Sequence, residues 1–170
     1  MSAPGFPVDL GEVAAELVCH EPCRARFEAG ELSVTAIPLN HPNGGVGYAI
    51  ERGGRRLVFL TDNELGRPHP GGRSAAEYAR FASGADLLLH DGAFTAEEYR
   101  RTRGWGHSTW EDALGLALAA GVGRFVLCHH NNARDDAALD GIVAQCRSRA
   151  AAAGAGPEVF GAAQLQHLVL

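Results

Sequence analysis

Between Ser74 and Cys128 the sequence alternates helix-opening signals with short apolar runs, and this alternation narrows the fold more than any other feature. Ser74-x-x-Glu77, Thr95-x-x-Glu98 and Ser108-x-x-Glu111 each have the form of a capping box. In such a box a hydroxyl and a carboxylate satisfy N–H groups that a helix start leaves open. They predict helices ending near Gly84, at about Arg103 and at Gly121. Asp86 to Leu89 and Arg124 to Cys128 are compact apolar runs that read as buried strands. Asp135-Asp136 caps a last helix to about Ala153, with Leu139, Ile142, Val143 and Cys146 as its apolar stripe.

The part before Ser74 is β-rich. Glu31 to Leu39 alternates polar and apolar residues. Val46 to Glu51 and Arg56 to Leu60 flank Gly53-Gly54, which supplies the positive φ of a tight hairpin turn. Leu165 to Leu170 reads as a closing strand. The whole is an α/β chain: a sheet with helices on one face, whose other face is also apolar and must be covered by something. Residues 1–26 read as a Pro-punctuated leader with one short helix, and 27–170 as the domain.

At 170 residues the chain suffices for one domain. It lacks an apolar run approaching the ~20 residues of a membrane helix, and its start lacks signal-peptide character, so a cytoplasmic location is expected. All 15 basic residues are Arg and the net charge is −5, so a phosphate-bearing substrate or a nucleic acid needs local attraction, which a bound divalent metal could supply. Cys19-His20-x-x-Cys23 suggests zinc but lacks a fourth ligand, and the cysteines read as free thiols.

Several chemically capable side chains fall at the ends of apolar runs, where a rigid scaffold hands residues to a shared site. Asp62 follows Leu57-Val58-Phe59-Leu60-Thr61, and its two oxygens could bridge two cations; taken alone, with Asn63 beside it, it reads first as a turn Asp. His41 opens His-Pro-Asn-Gly-Gly, which is also good turn composition. His129 follows a five-residue buried run and is neither cap nor turn former. His107, just before a helix, pairs in principle with Asp91, and a His held by a carboxylate can donate a proton to a leaving oxygen. Packing between Trp105 and Trp110 is the plainer alternative for it. Arg100, Arg101 and Arg103 could grip a phosphate, but read first as a solvated helix face.

Taken in order, these segments resemble the metallo-β-lactamase superfamily in its phosphodiesterase and ribonuclease Z branch. His41-Pro-Asn-Gly-Gly-Val-Gly-Tyr48 is similar to its His and Gly-Tyr motif, and Phe59-Leu-Thr-Asp62 to its bridging-Asp motif. Leu89-His-Asp-Gly-Ala-Phe94 is similar to its His-Glu-Ala-Thr-Phe loop, with Asp91 in place of Glu. Gly106-His-Ser-Thr109 and Leu127-Cys-His129 are similar to its His-Ser-Thr loop and its last ligand.

The resemblance implies one half of an αββα sandwich. His41 would ligate one metal, Asp62 would bridge two, and His129 would ligate the second. His107 would be the proton donor, oriented by Asp91. The complete domain would hold two zinc or manganese ions and hydrolyse a phosphodiester, or another ester, by metal-bound hydroxide. The superfamily's opening His-x-His-x-Asp-His motif does not occur in the sequence. Metal binding by this chain alone should therefore be weak. The resemblance also implies a C-terminal half, either truncated or completed by a partner chain or a homo-oligomer. Two other readings stand beside it: a non-catalytic half-domain acting as a binding or regulatory subunit, and an α/β phosphatase with Asp62 as nucleophile.

Overall fold

The computed structural model describes residues 26–170, together with Ala14. The segment read as a leader and the Cys19–Cys23 motif lie outside these residues, apart from Ala14 and Arg26. The described chain starts with four antiparallel strands, β1 (Arg26–Ala29), β2 (Leu32–Pro38), β3 (Val46–Arg52) and β4 (Arg55–Leu60). Gly53 and Gly54 close the β3–β4 hairpin at φ 57° and 77°, so both turn positions need the left-handed region that glycine adopts without strain.

Three parallel strands then extend the sheet: β5 (Leu87–Asp91), β6 (Arg124–Cys128) and β7 (Glu158–Gly161). Spatial order equals chain order, β1 to β7. The crossovers carry α1 (Ala75–Phe81), then α2 (Ala96–Thr102) and α3 (Trp110–Ala120), then α4 (Asp136–Ala152). Val58, Leu88, Phe125 and Val159 are aligned across the parallel strands and buried under α1, α3 and α4. Crossovers of one hand between sequential parallel strands put their helices on the same face, which is why a single core forms there. α2 has no buried residue and stays out of that core. The other face presents Tyr48, Ile50, Leu57, Phe59 and Leu89, and Phe59 is 38% exposed. No helix among the described residues is long and apolar enough to cross a membrane.

The boxes at Ser74 and Thr95 form as the sequence predicts, with both reciprocal bonds present. The third does not. Thr109 caps α3, its hydroxyl accepting from the N–H of Asp112, while the Ser108 hydroxyl is engaged with Asn63 and Leu65. A tertiary claim on Ser108 moves the cap by one residue. Leu165 to Leu170 is not a strand either. The closing strand is β7, whose Val159 packs into the core, whereas Leu165 is 85% exposed. β5 runs two residues beyond Leu89, which takes His90 and Asp91 into the sheet.

Candidate metal centre

The C-terminal ends of β4, β5 and β6 lie side by side, and crevices at such ends are where parallel sheets place their ligands. Asp62 comes just after β4 and His129 just after β6, at φ 58° and 51°. A left-handed conformation is uncommon outside glycine and tends to persist where the surrounding structure imposes it, often at functional sites. Here it breaks strand alternation at both residues. The Asp62 Oδ1 lies 3.1 Å from Nδ1 of His129 and 3.4 Å from Nδ1 of His107. One donor atom from each of the three falls within 4.8 Å of the others. The rings of His107 and His129 stack at 4.3 Å and 25°.

His41, in the β2–β3 turn, is the next neighbour, its ring 5.6 Å from that of His107. The N–H of Asn43 donates to its Nδ1 at 3.2 Å, which leaves Nε2 for a ligand. Of the side chains predicted from sequence, Asp62, His107 and His129 come together and His41 stands beside them. Asp91 lies beneath.

Asp91 is fully buried. Its Oδ1 accepts from the N–H of Asn63 at 2.9 Å and its Oδ2 from the N–H of Ser108 at 2.6 Å. These are the residues next to Asp62 and His107, so one carboxylate fastens both loops. It approaches the His107 ring only to 3.9 Å. Burial pushes the Asp91 carboxyl well up from its usual range, against the pull of these N–H donors, and the nearby charge of Asp62 pushes the same way.

Asn63 extends the platform: its Oδ1 accepts from the N–H of Asn40 at 2.9 Å and its Nδ2 donates to Nε2 of His90 at 3.1 Å. His90 in turn donates from Nδ1 to the Asp91 carbonyl at 2.8 Å. Burial pushes the His90 ring down to about 4, so it is neutral at physiological pH and can accept at Nε2. Ser108 donates to the Asn63 carbonyl at 2.6 Å and accepts from the N–H of Leu65 at 2.9 Å.

A second buried carboxylate, Glu64, fixes the loop that presents His107. It accepts from Tyr99 Oη (2.5 Å), His69 Nε2 (2.6 Å), the N–H of Gly104 (2.7 Å) and the N–H of Gly106 (3.0 Å). Burial alone would raise its pKa, but together these hydrogen bonds outweigh burial and hold the carboxyl below its usual range. Neither Glu64 nor Asn63 stands out in the sequence, where Asp-Asn-Glu reads as a turn. Their partners are remote along the chain, so no local pattern announces them.

The donors suit a small divalent cation. His107 Nδ1 is buried and has no hydrogen-bond partner. Burial, then the neighbouring His129, lowers the His107 pKa, and Asp62 opposes this. A neutral imidazole with a free nitrogen beside a carboxylate and a second imidazole forms an N,N,O set of the kind zinc accepts. The Asp62 and His129 side chains are 45% and 46% exposed, so the set opens to solvent.

Comparison with known proteins agrees with this architecture. Ribonuclease Z of Gemmatimonas aurantiaca is 44% identical over 78 residues, covering 46% of this chain and 22% of the relative. Ribonuclease Z of Haloferax volcanii is 29% identical over 167 residues, covering 74% of this chain and 50% of the relative. Among solved structures, the metallo-beta-lactamase fold protein YhfI from Bacillus subtilis superposes with a TM-score of 0.67 at 21% identity, covering 85% of this chain and 52% of that one. The short form of human tRNase Z gives a TM-score of 0.54 at 21% identity, covering 80% and 42%. The chain thus spans about half, or less, of the length of these proteins. Residues 7–130 match the family model of the beta-lactamase superfamily domain. The chain belongs to that family.

Proposed function

We propose that this chain carries part of the metal centre of a phosphodiester hydrolase acting on nucleic acid. The observation that carries the reading is the meeting of Asp62, His107 and His129, with donor atoms within 4.8 Å. The ribonuclease Z relatives support the choice of a phosphodiester over other esters. Asp62 and His129 would hold a zinc ion with His107 as third donor and His41 beside them. A divalent cation there supplies positive charge against phosphoryl oxygens and acidifies water. Asp91 and Glu64 act through the backbone, holding the Asp62 and His107 loops in place. Further ligands would come from the part of the relatives that this chain does not span, whether on a longer chain or on a partner.

His107 has a second reading. Its unpartnered Nδ1 lies 3.4 Å from Asp62 and 3.9 Å from Asp91, a position that would also suit a proton held for a leaving oxygen.

Calorimetric titration of the 170-residue chain with zinc tests the proposal. The expected result is weak binding that falls at least about tenfold in Asp62→Asn and in His129→Ala, since changing even a residue that only supports a ligand commonly costs that much. Equal loss in His107→Ala makes His107 a ligand; undiminished zinc binding there, with lost turnover of a bis-aryl phosphate, makes it the proton donor. Zinc binding unchanged in Asp62→Asn and His129→Ala would overturn the proposal.

A further inference from the structure

Trp105 is 63% exposed, whereas Trp110, the other tryptophan of the chain, is 2% exposed. The exposed ring does not belong to a loose loop. Gly104 and Gly106 on either side of it both have φ 95°, and both N–H groups are held by the buried Glu64 carboxylate. The N–H of Trp105 itself donates to the Thr102 carbonyl at 3.0 Å. The backbone therefore presents an indole to solvent from a fixed position, and little conformational freedom remains to be lost on binding.

This indole stands next to the metal centre. Phe94 meets the Trp105 ring edge-on at 6.5 Å and the His107 ring at 6.2 Å, so one side chain separates the two. The charge around it is also distinctive. Arg67, Arg100, Arg101 and Arg103 are exposed, and their guanidinium groups form no hydrogen bond or ion pair with another described residue. Arg26, Arg52, Arg55, Arg56 and Arg134 are in ion pairs, while Arg73 and Arg80, in or next to α1, are exposed and unpaired as well. Arg67 reaches over the Trp105 loop, its Nη1 2.9 Å from where a Cβ on Gly104 would stand. In a chain of net charge −5, uncommitted arginines beside an exposed indole form a local exception to the general field.

We infer that Trp105, with Arg67 and Arg103, is a stacking platform for a base of single-stranded nucleic acid whose phosphodiester lies at the metal centre. The inference rests on the phosphodiester reading of that centre. An indole face stacks on any base, guanidinium groups add both stacking and phosphate contacts, and neither demands a particular sequence. The platform is thus a positioning surface. It sets where the strand lies and leaves the reacting atoms to the site.

The test uses the full chain without metal, so that nothing is cleaved. In a Trp110→Phe background the emission reports Trp105 alone. A short single-stranded oligoribonucleotide should quench it saturably, and inorganic phosphate should not. Anisotropy of the labelled oligonucleotide should show binding about tenfold weaker in Trp105→Ala, largely restored in Trp105→Phe. Arg67→Gln and Arg103→Gln should each reduce the salt dependence of binding by about one counterion. Absence of quenching, or equal affinity in Trp105→Ala, would overturn the inference. So would an emission change that follows protein concentration without RNA, which would mean that the ring faces another copy of the chain. Zinc titration separates the two failures: zinc bound through Asp62 with RNA binding indifferent to Trp105 removes the platform alone, and RNA quenching without zinc binding removes the metal centre alone.

Discussion

The His41 imidazole fills the space that a side chain on residue 106 would need: a Cβ on Gly106 would fall 2.0 Å from His41 Cδ2 and 2.4 Å from Nε2. Gly106 also sits at φ 95°. Gly106→Ala therefore meets both backbone strain and a ring that must leave its place beside His107. We expect a loss of about 2–4 kcal/mol in chemical denaturation, combining the strain and overpacking costs, and weaker zinc binding by calorimetry.

Glu64 gives the largest expected effect on stability. Removing the buried carboxylate in Glu64→Ala takes the shared partner from four donors, one buried and three part-buried, and should cost roughly 3–5 kcal/mol. The folded carboxyl holds its proton more weakly than the unfolded one. Its contribution is therefore complete above the ordinary glutamate value of 4.5 and is lost as pH falls below it. Glu64→Gln should flatten the acid limb of the stability profile, measured by denaturant unfolding at successive pH values.

His90 should remain uncharged far below the usual histidine range. Its ring protons, followed by NMR, should titrate near 4 instead of 6.5. The unfolded ring takes up a proton as pH falls through about 6.5 and the folded ring does not until about 4, so the folded state loses stability across that window. Asp91, raised by its own burial, contributes with the opposite sign, which makes the ring signal the cleaner measurement. A His90 titration near 6.5 in the folded protein would contradict its role as the acceptor for Asn63.

The shifted cap of α3 makes a three-way comparison. Thr109→Ala should cost about 1 kcal/mol, the usual effect of losing an N-cap. Ser108→Ala should cost on the order of 3 kcal/mol, because it leaves the Asn63 carbonyl and the Leu65 N–H without their partner. Glu111→Ala should change stability by less than about 1 kcal/mol, since Ser108 gives its N–H to Asp91. Thermal unfolding of the three variants ranks them directly.

These comparisons also mark where the sequence is informative. The boxes at Ser74 and Thr95 are local devices, complete within four residues, and form as their spacing predicts. Asp62 and His129 are recognisable because each follows a short apolar run, and His107 because it stands just before a helix-opening signal. Ser108 matches the same box pattern as Ser74 but is claimed by Asn63 and Leu65, which no local pattern reveals. β7 is missed for a related reason: Glu158–Gly161 is short and has little alternation, and becomes a strand by pairing with β6. Leu165 to Leu170 has the better composition and no partner strand among the described residues.

The sequential strand order has a consequence for synthesis. Each strand emerging from the ribosome finds its neighbour already made, and none has to be inserted between two earlier ones. The proposed cation site follows a later schedule. Asp62 emerges after β4 and His107 ahead of α3, but His129 arrives only once β6 is complete. A nascent chain can thus lay down most of its sheet before its donor set is complete.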